Sequence, residues 1–268
     1  MPELPEVETV RRQLLPVYKG ELIRELKAKK VRIFQNVSPK EFSIILSNKK
    51  VTDISRYSKF CIFECEDLYP VFHLGMSGIF LKNLKDSKYP QHIHVSFYFA
   101  SGKELHFQDV RKFSKIWLFR EPPQFPNLGI DPTTRKFTLN NFGKLLNLKQ
   151  MNVKSFLMDQ SIIAGVGNIY ANEILFNCGV SPLRKLNQLT DNEVIKLYNS
   201  IKLILQNAIR KFGTSYSAYR TISGEEGENQ HFLKVYQRAE QECFKCRTEI
   251  KKIIIGSRST FYCPNCQK

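Results

Sequence analysis

The stretch Met1-Pro2-Glu3-Leu4-Pro5-Glu6 opens the chain, and the rest of the sequence is organised around it. Proline is favoured in the first turn of a helix, and acidic residues there are stabilised by the helix dipole. Apolar residues then recur at Val7, Val10, Leu14 and Val17, which is the spacing of one buried helical face. These six residues therefore predict the start of a helix, whether or not they also have a chemical role.

A chemical role is available to Pro2 if Met1 is removed, because Pro2 would then carry the terminal amine. A terminal amine has a pKa of about 7.7–8.0, against about 10.4 for lysine, so more of it is neutral near pH 7. A neutral secondary amine can attack an aldehyde-level carbon and form an iminium, which acts as an electron sink for elimination. The neighbouring Glu3 could carry the protons.

Composition and charge indicate the class of partner. The 268 residues are 42% hydrophobic, enough for a sizeable core in two domains. Lys and Arg number 41 and Asp and Glu 25, giving a net charge of +16, which points to a polyanion such as nucleic acid. No run of apolar residues is long enough to span a membrane, and the N-terminus lacks the hydrophobic core of a signal peptide. We therefore expect a soluble, cytoplasmic protein.

The pattern changes from strands to helices along the chain. Short, closely spaced runs with the pattern of β-strands lie between Gly20 and Arg120, and they predict an antiparallel sandwich or barrel. A proline- and glycine-rich run from Pro122 to Pro132 then predicts a linker. Helices are predicted at Leu139–Leu148 and Val153–Met158. The expected domains are residues 1–131, 132–222 and 223–268.

A glycine-rich turn follows these helices. Gly165 and Gly167 precede Asn168, where a helix should begin, and Gly179 should end it. Free backbone N–H groups at such a start can bind a phosphate, although a plain turn between helices is equally compatible with the sequence. Thr190 and Glu193 have the spacing of a capping box for another helix.

Four cysteines at the end of the chain give the sharpest motif. Cys243-x2-Cys246 and Cys263-x2-Cys266 have the spacing of a four-cysteine zinc ribbon, with a β-hairpin predicted between them. Four thiolates complete a tetrahedral shell, so one structural zinc is expected and no substrate position remains. Arg258 at the predicted tip is either solvated or inserted into a groove.

Motifs along the whole length resemble the formamidopyrimidine-DNA glycosylase family of helix–two-turn–helix DNA repair enzymes. They are Pro2–Thr9, His73–Gly78, Asp109–Phe113, Asp159–Glu173, Lys234–Arg238 and the cysteine ribbon. The resemblance implies an α+β fold in two domains. An N-terminal antiparallel β-sandwich with flanking helices is followed by a helix–two-turn–helix domain with a zinc-ribbon hairpin.

The resemblance also implies an activity, namely excision of oxidised purines such as 8-oxoguanine and formamidopyrimidines from duplex DNA, followed by β,δ-elimination at the abasic site. Pro2 would be the nucleophile, Glu3 the proton carrier and Glu6 a support near the amine. Lys59 would contact phosphate and assist the chemistry, although a lysine in so basic a chain could equally be a solvated charge. The partner would be double-stranded DNA, bound by a monomer.

Further residues match DNA-binding positions of the family. Met76, Arg111 and Phe113 would fill the void left by a flipped nucleotide, whereas ordinary core packing is the alternative for Met76 and Phe113. Positions expected to grip the backbone and fix its register are His73, Lys154, Asn168, Tyr236 and Arg258.

Some positions depart from the family pattern. Tyr57 and Ser58 replace an arginine and a glycine before Lys59, Ser114 stands where glycine usually follows Phe113, and Ser257 stands where glycine or glutamine is common. The Gly213–His231 segment corresponds to a loop that covers an oxidised purine. Two alternatives remain, the pyrimidine-directed endonuclease VIII, which has different void-filling residues, and a non-catalytic zinc-ribbon protein that binds nucleic acid.

Overall fold

The computed structural model describes residues 1–146, 150–216 and 218–268. Two compact units are present, one formed by Met1–Gln124 with Ile209–Gln230 and the other by Phe125–Ala208 with His231–Lys268. These units differ from the three segments expected from the sequence because residues 209–230 pack with the first unit. The boundary between Gln124 and Phe125 falls within the proline- and glycine-rich run.

The first unit begins with helix α1 (Leu4–Tyr18), whose buried face includes Leu4, Val7, Val10 and Leu14. A second helix, α2 (Pro39–Leu46), was not predicted. The hydroxyl of Ser38 accepts the N–H of Glu41, and only Phe42 and Leu46 of this helix are fully buried. The capping residues were present in the sequence, but the helix is too short to show a clear period.

In the described part of the first unit, eight strands form two antiparallel four-stranded sheets, which confirms the predicted β-sandwich. One sheet has the order β1 (Ile23–Ala28), β6 (Ile93–Phe99), β7 (Glu104–Asp109), β5 (Gly78–Leu81). The other has the order β2 (Val51–Tyr57), β3 (Phe60–Cys65), β4 (Tyr69–His73), β8 (Lys115–Phe119). Packed aromatic rings fill the core of this unit, among them Phe63, Phe72, Phe80, Phe97 and Phe107.

The second unit contains α3 (Leu139–Leu146), α4 (Val153–Met158), α5 (Asn168–Cys178) and all but the last two residues of α6 (Asp191–Arg210). The last two residues of the helix predicted at Leu139–Leu148 lie outside the described residues. As predicted, α5 begins at Asn168 and is terminated by Gly179, the capping residue after Cys178, whose φ of 75° favours glycine. The Thr190 and Glu193 capping box of α6 is also confirmed, by reciprocal bonds of 2.9 and 3.3 Å.

The chain ends in the predicted hairpin, formed by β9 (Lys251–Ile255) and β10 (Arg258–Tyr262). Its turn contains only Gly256 and Ser257, both with positive φ, so Arg258 is the first residue of a strand and not part of the turn. Among the described residues, no helix combines the length and apolarity needed to cross a bilayer.

Candidate active site and nucleic-acid interface

The start of α1 buries the residues expected to act on a substrate. Pro2 is buried, Glu3 is 2% exposed and Glu6 is 1% exposed. One carboxylate oxygen of Glu6 accepts the Glu3 N–H at 2.7 Å and the other accepts the Thr214 N–H at 2.8 Å. The Glu6 carboxylate is thus fixed by two backbone donors, one of which belongs to the residue that follows Pro2.

Lys59 lies in a two-residue turn between β2 and β3 and is only 6% exposed, so its interpretation as a solvated charge is wrong. Ser58, at the position where the family has glycine, has a φ of 54°. This left-handed conformation explains the family's glycine and costs strain when serine occupies it. A hydrogen bond stabilises the turn, because the Arg56 guanidinium donates to the Ser58 carbonyl at 2.7 Å.

The same guanidinium connects the turn to α1. Its Nε donates to Glu8 at 3.0 Å, and Glu8 also accepts from Arg11 and Arg12. Burial acts to raise the pKa of Glu8, but hydrogen bonds from Arg11 and Arg12 and the charge of Arg56 outweigh it and lower the pKa to about 2. Glu8 therefore stays ionised near neutral pH and ties the Lys59 turn to the first helix.

His73, on β4, pairs with Phe60 of β3, the residue that follows Lys59. Burial, with the positive charges of Lys59 and Lys115, lowers the pKa of His73 to about 4. The ring nitrogen Nδ1 accepts the Gly75 N–H at 3.2 Å. A neutral ring that accepts at Nδ1 carries its proton on Nε2, so His73 can donate one hydrogen bond to an anionic oxygen.

The three predicted void-filling residues lie on two adjacent loops of the first unit. Met76 is 36% exposed and Phe113 is 51% exposed, so the core-packing interpretation is wrong for both. The Arg111 guanidinium lies 4.9 Å from the centre of the Phe113 ring. An exposed thioether, an exposed ring and a forked cation are thus presented together, which suits insertion between bases.

In the second unit a polar cavity of about 480 Å³ brings together Asn168, Tyr236 and Arg258, and Lys252 also lines it. Asn168 is the first residue of α5, and its side-chain amide donates to the Ser259 carbonyl at 3.0 Å. The cavity thus combines a helix start, a phenol and two cations. This combination suits a phosphate, which favours the anion-site interpretation of the glycine-rich turn.

Lys154, in contrast, is fully buried in the second unit. Its ammonium donates to the Thr260 hydroxyl at 3.2 Å, which places it beneath the hairpin strand β10. The sequence offered no signal for this burial because Thr260 lies 106 residues away.

Two buried residues that the sequence did not mark as functional hold this cavity in shape. The Glu173 carboxylate accepts the N–H groups of Lys234, Val235 and Tyr236 at 2.8–3.0 Å. Burial raises the pKa of Glu173 despite these bonds. The Asn172 side chain accepts the Phe261 N–H at 2.8 Å. Both residues belong to the motif ending at Glu173, but only the fold shows that they position the segments carrying Tyr236 and Arg258.

The four cysteines form the predicted metal site. All four sulfurs lie within 4.8 Å of one another, with Cys243 and Cys266 at 3.9 Å and Cys246 and Cys263 at 3.4 Å. Zinc–sulfur bonds of about 2.3 Å in a tetrahedron require sulfurs about 3.8 Å apart, so the donor set fits one Zn²⁺. The N–H groups of Lys245 and Cys266 point at the sulfurs of Cys243 and Cys263. The site is closed and structural, which confirms the prediction.

Family models match most of the chain. Residues 1–116 match the formamidopyrimidine-DNA glycosylase N-terminal domain, residues 128–219 match the H2TH domain of the same enzyme, and residues 240–268 match the zinc finger found in FPG and IleRS. Two proteins named formamidopyrimidine-DNA glycosylase, from Lactobacillus gasseri and Brevibacillus brevis, are each 38% identical to this chain. Each alignment covers 100% of this chain and 99% of the relative.

Solved structures agree with these matches. A variant of the Lactococcus lactis FPG in complex with DNA containing Fapy-dG has a TM-score of 0.91 and 34% identity, with full coverage of both chains. The Lactococcus lactis Fpg with DNA containing an abasic site has a TM-score of 0.90 and 34% identity over 99% of both chains. The MutM (Fpg) protein from Thermus thermophilus has a TM-score of 0.87 and 31% identity, covering 99% of this chain and 98% of that one.

Proposed function

This chain belongs to the formamidopyrimidine-DNA glycosylase family, a family of base-excision repair enzymes, and we propose that it excises oxidised purines from duplex DNA and then cleaves the strand. The observation that carries the proposal is the buried start of α1. There Pro2 and Glu3 are buried, and the carboxylate of Glu6 accepts the N–H of Glu3, the residue that follows Pro2. Such a site can supply a nucleophile and a proton carrier to one carbon atom.

The proposed reaction begins once Met1 has been removed. The Pro2 nitrogen attacks C1′ of the damaged nucleotide, the glycosidic bond breaks, and the base leaves with a proton. The C1′–O4′ bond of the sugar ring then breaks as O4′ takes up a proton, which leaves an iminium between the Pro2 nitrogen and C1′. Loss of a proton from C2′ then expels the 3′ phosphate, and a second elimination expels the 5′ phosphate. Glu3 carries protons at the sugar, Glu6 supports the amine, and Lys59 assists near the phosphate.

Recognition requires the damaged nucleotide to leave the helix, at a cost of a few kcal/mol in stacking and pairing. Met76, Arg111 and Phe113 fill the space it leaves, and their exposure on adjacent loops supports this role. His73, Asn168, Tyr236 and Arg258 bind backbone phosphates. Lys154 contributes to this binding of the DNA backbone from beneath the hairpin, through its hydrogen bond to Thr260.

Double-stranded DNA with an oxidised purine or an abasic site is the proposed partner, and the protein acts as a monomer. The net charge of +16 supports a polyanionic partner. The trio of Met76, Arg111 and Phe113 favours purines over the pyrimidine lesions of endonuclease VIII.

Borohydride trapping tests the proposal against a protein that only binds nucleic acid. The enzyme is incubated with duplexes carrying 8-oxoguanine, an oxidised pyrimidine or no lesion, the iminium is reduced, and the cross-linked peptide is identified by mass spectrometry. We expect a cross-link on Pro2, formed fastest with the purine lesion. Glu3→Gln should bind but release little base, and a form that retains Met1 should not cross-link. A cross-link on Lys59, or none at all, contradicts the proposal.

A further inference from the structure

Asp109, at the end of β7, is a carboxylate with no exposed surface that receives four hydrogen bonds. Its Oδ1 accepts from the Ser77 hydroxyl at 2.5 Å and from the Arg111 N–H at 3.1 Å. Its Oδ2 accepts from the Ser114 N–H at 2.8 Å and also from the Ser114 hydroxyl. One side chain therefore binds both loops that carry the three void-filling residues.

The two loops are also in close backbone contact. Gly75 has a φ of +59°, and a Cβ there would lie 2.5 Å from the carbonyl carbon of Phe113. Lys112, between the two void-filling residues of its loop, is held at a φ of 55°. A non-glycine residue keeps such a conformation only when its surroundings over-determine it. The hydrogen bonds to Asp109 on either side of Lys112 supply that constraint.

We infer that Asp109, with the hydroxyls of Ser77 and Ser114, is a latch that sets the void-filling loops in their inserting arrangement before DNA binds. Asp109 and Ser114 are positioning residues for the proposed reaction, on which this inference rests. A preset loop loses less conformational freedom when it enters the base stack, which favours insertion. The Ser114 hydroxyl makes this chain's latch tighter than a glycine at that position would.

The latch should affect only substrates that need a base pair opened. Ser114→Ala removes one hydroxyl bonded to a buried carboxylate, and we expect excision from a fully paired lesion duplex to slow about tenfold. A matched duplex that lacks the nucleotide opposite the lesion has no base pair to open at the lesion. Its excision rate by Ser114→Ala should therefore differ from that of the wild type by less than about twofold. Ser114→Thr keeps the hydroxyl and should restore the rate. A 2-aminopurine beside the lesion should report slower insertion by Ser114→Ala.

Two results would overturn the inference. One is wild-type behaviour of Ser114→Ala on both duplexes, and the other is an equal loss on both, which would indicate a general structural defect. Hydrogen exchange of the wild-type protein without DNA provides a test that depends on no variant folding and no activity. The amides of Arg111 and Ser114 should be protected relative to that of Lys112, for which the described residues supply no acceptor. Fast exchange at all three rejects the latch even if the enzyme excises bases, whereas failure to excise any base would reject the proposed function instead.

Discussion

The Glu6 carboxylate accepts the backbone N–H of Thr214 at 2.8 Å, and the two residues are 208 positions apart in the sequence. This bond joins the first turn of α1 to residues 209–230, which form part of the first unit. Gly213 makes the approach possible, because a Cβ there would lie 3.0 Å from the Glu6 side chain. The segment that we expect to cover an oxidised purine is therefore anchored at the carboxylate of Glu6.

Glu6→Gln should weaken this anchor. An amide has a single acceptor oxygen, so either the Glu3 or the Thr214 N–H loses its buried partner, which costs about 1–3 kcal/mol of unfolding free energy. Chemical denaturation measures the loss, and proteolysis within residues 213–230 should accelerate. The control is Glu41→Gln, whose carboxylate forms the same type of capping bond at an exposed helix start. Equal effects of the two substitutions would show that Glu6 is an ordinary cap.

Glu8 should give the protein a distinct acid dependence. Its folded pKa is about 2, lowered from a usual value of 4.5. A carboxylate with a lowered pKa stabilises the fold fully above pH 4.5, and this contribution disappears as the pH falls towards 2. The difference corresponds to about 3 kcal/mol.

Glu8→Gln tests this dependence. We expect the variant to be less stable than the wild type by about 3 kcal/mol at neutral pH, and the gap to close between pH 4.5 and 2. Glu66→Gln, which breaks an exposed ion pair with Lys49, should have a much smaller effect at every pH. A gap between Glu8→Gln and the wild type that did not vary with pH would mean that packing, and not charge, explains the loss.

Parts of the site that depend on residues close together in the sequence could be predicted. The spacing of the cysteines predicted the zinc site. Asn168 and Gly179 marked the ends of α5, because the residues that cap a helix lie within one turn of its ends. The sequence could not show that Lys154 is buried or that Asp109 receives four hydrogen bonds. Those properties depend on partners brought together by folding, such as Thr260 and Ser77.

Loss of zinc should impair DNA binding. Cys243→Ser removes one of four ligands, so both zinc content and affinity for a duplex with an uncleavable abasic analogue should fall together, because the metal folds the hairpin that carries Arg258. Cys178→Ser, at a cysteine outside the cluster, should change neither. Undiminished DNA binding by metal-free protein would separate the zinc from the DNA interface.

Arg258 should contribute one phosphate contact. Arg258→Ala should weaken binding to lesion-containing and undamaged duplexes about equally, and the log–log salt slope should fall in magnitude by about one. Lys27→Ala removes a cation that is also exposed, on β1, and should leave the slope unchanged. A loss confined to lesion DNA would assign Arg258 to lesion recognition instead.

Gly75→Ala should disturb the loop that carries Phe113. The substitution combines two costs, since φ is +59° and the new Cβ would lie 2.5 Å from the Phe113 carbonyl carbon. Gly20 has a φ of +89° with nothing within 4 Å of the position a Cβ would take, so Gly20→Ala isolates the backbone strain of about 1–2 kcal/mol. We expect Gly75→Ala to be the more destabilising of the two and to slow excision from paired lesion duplexes, because the backbone around Phe113 must move. Thermal unfolding and single-turnover excision measure the two effects. Identical losses for Gly75→Ala and Gly20→Ala, with unchanged excision, would show that the two loops do not depend on this contact.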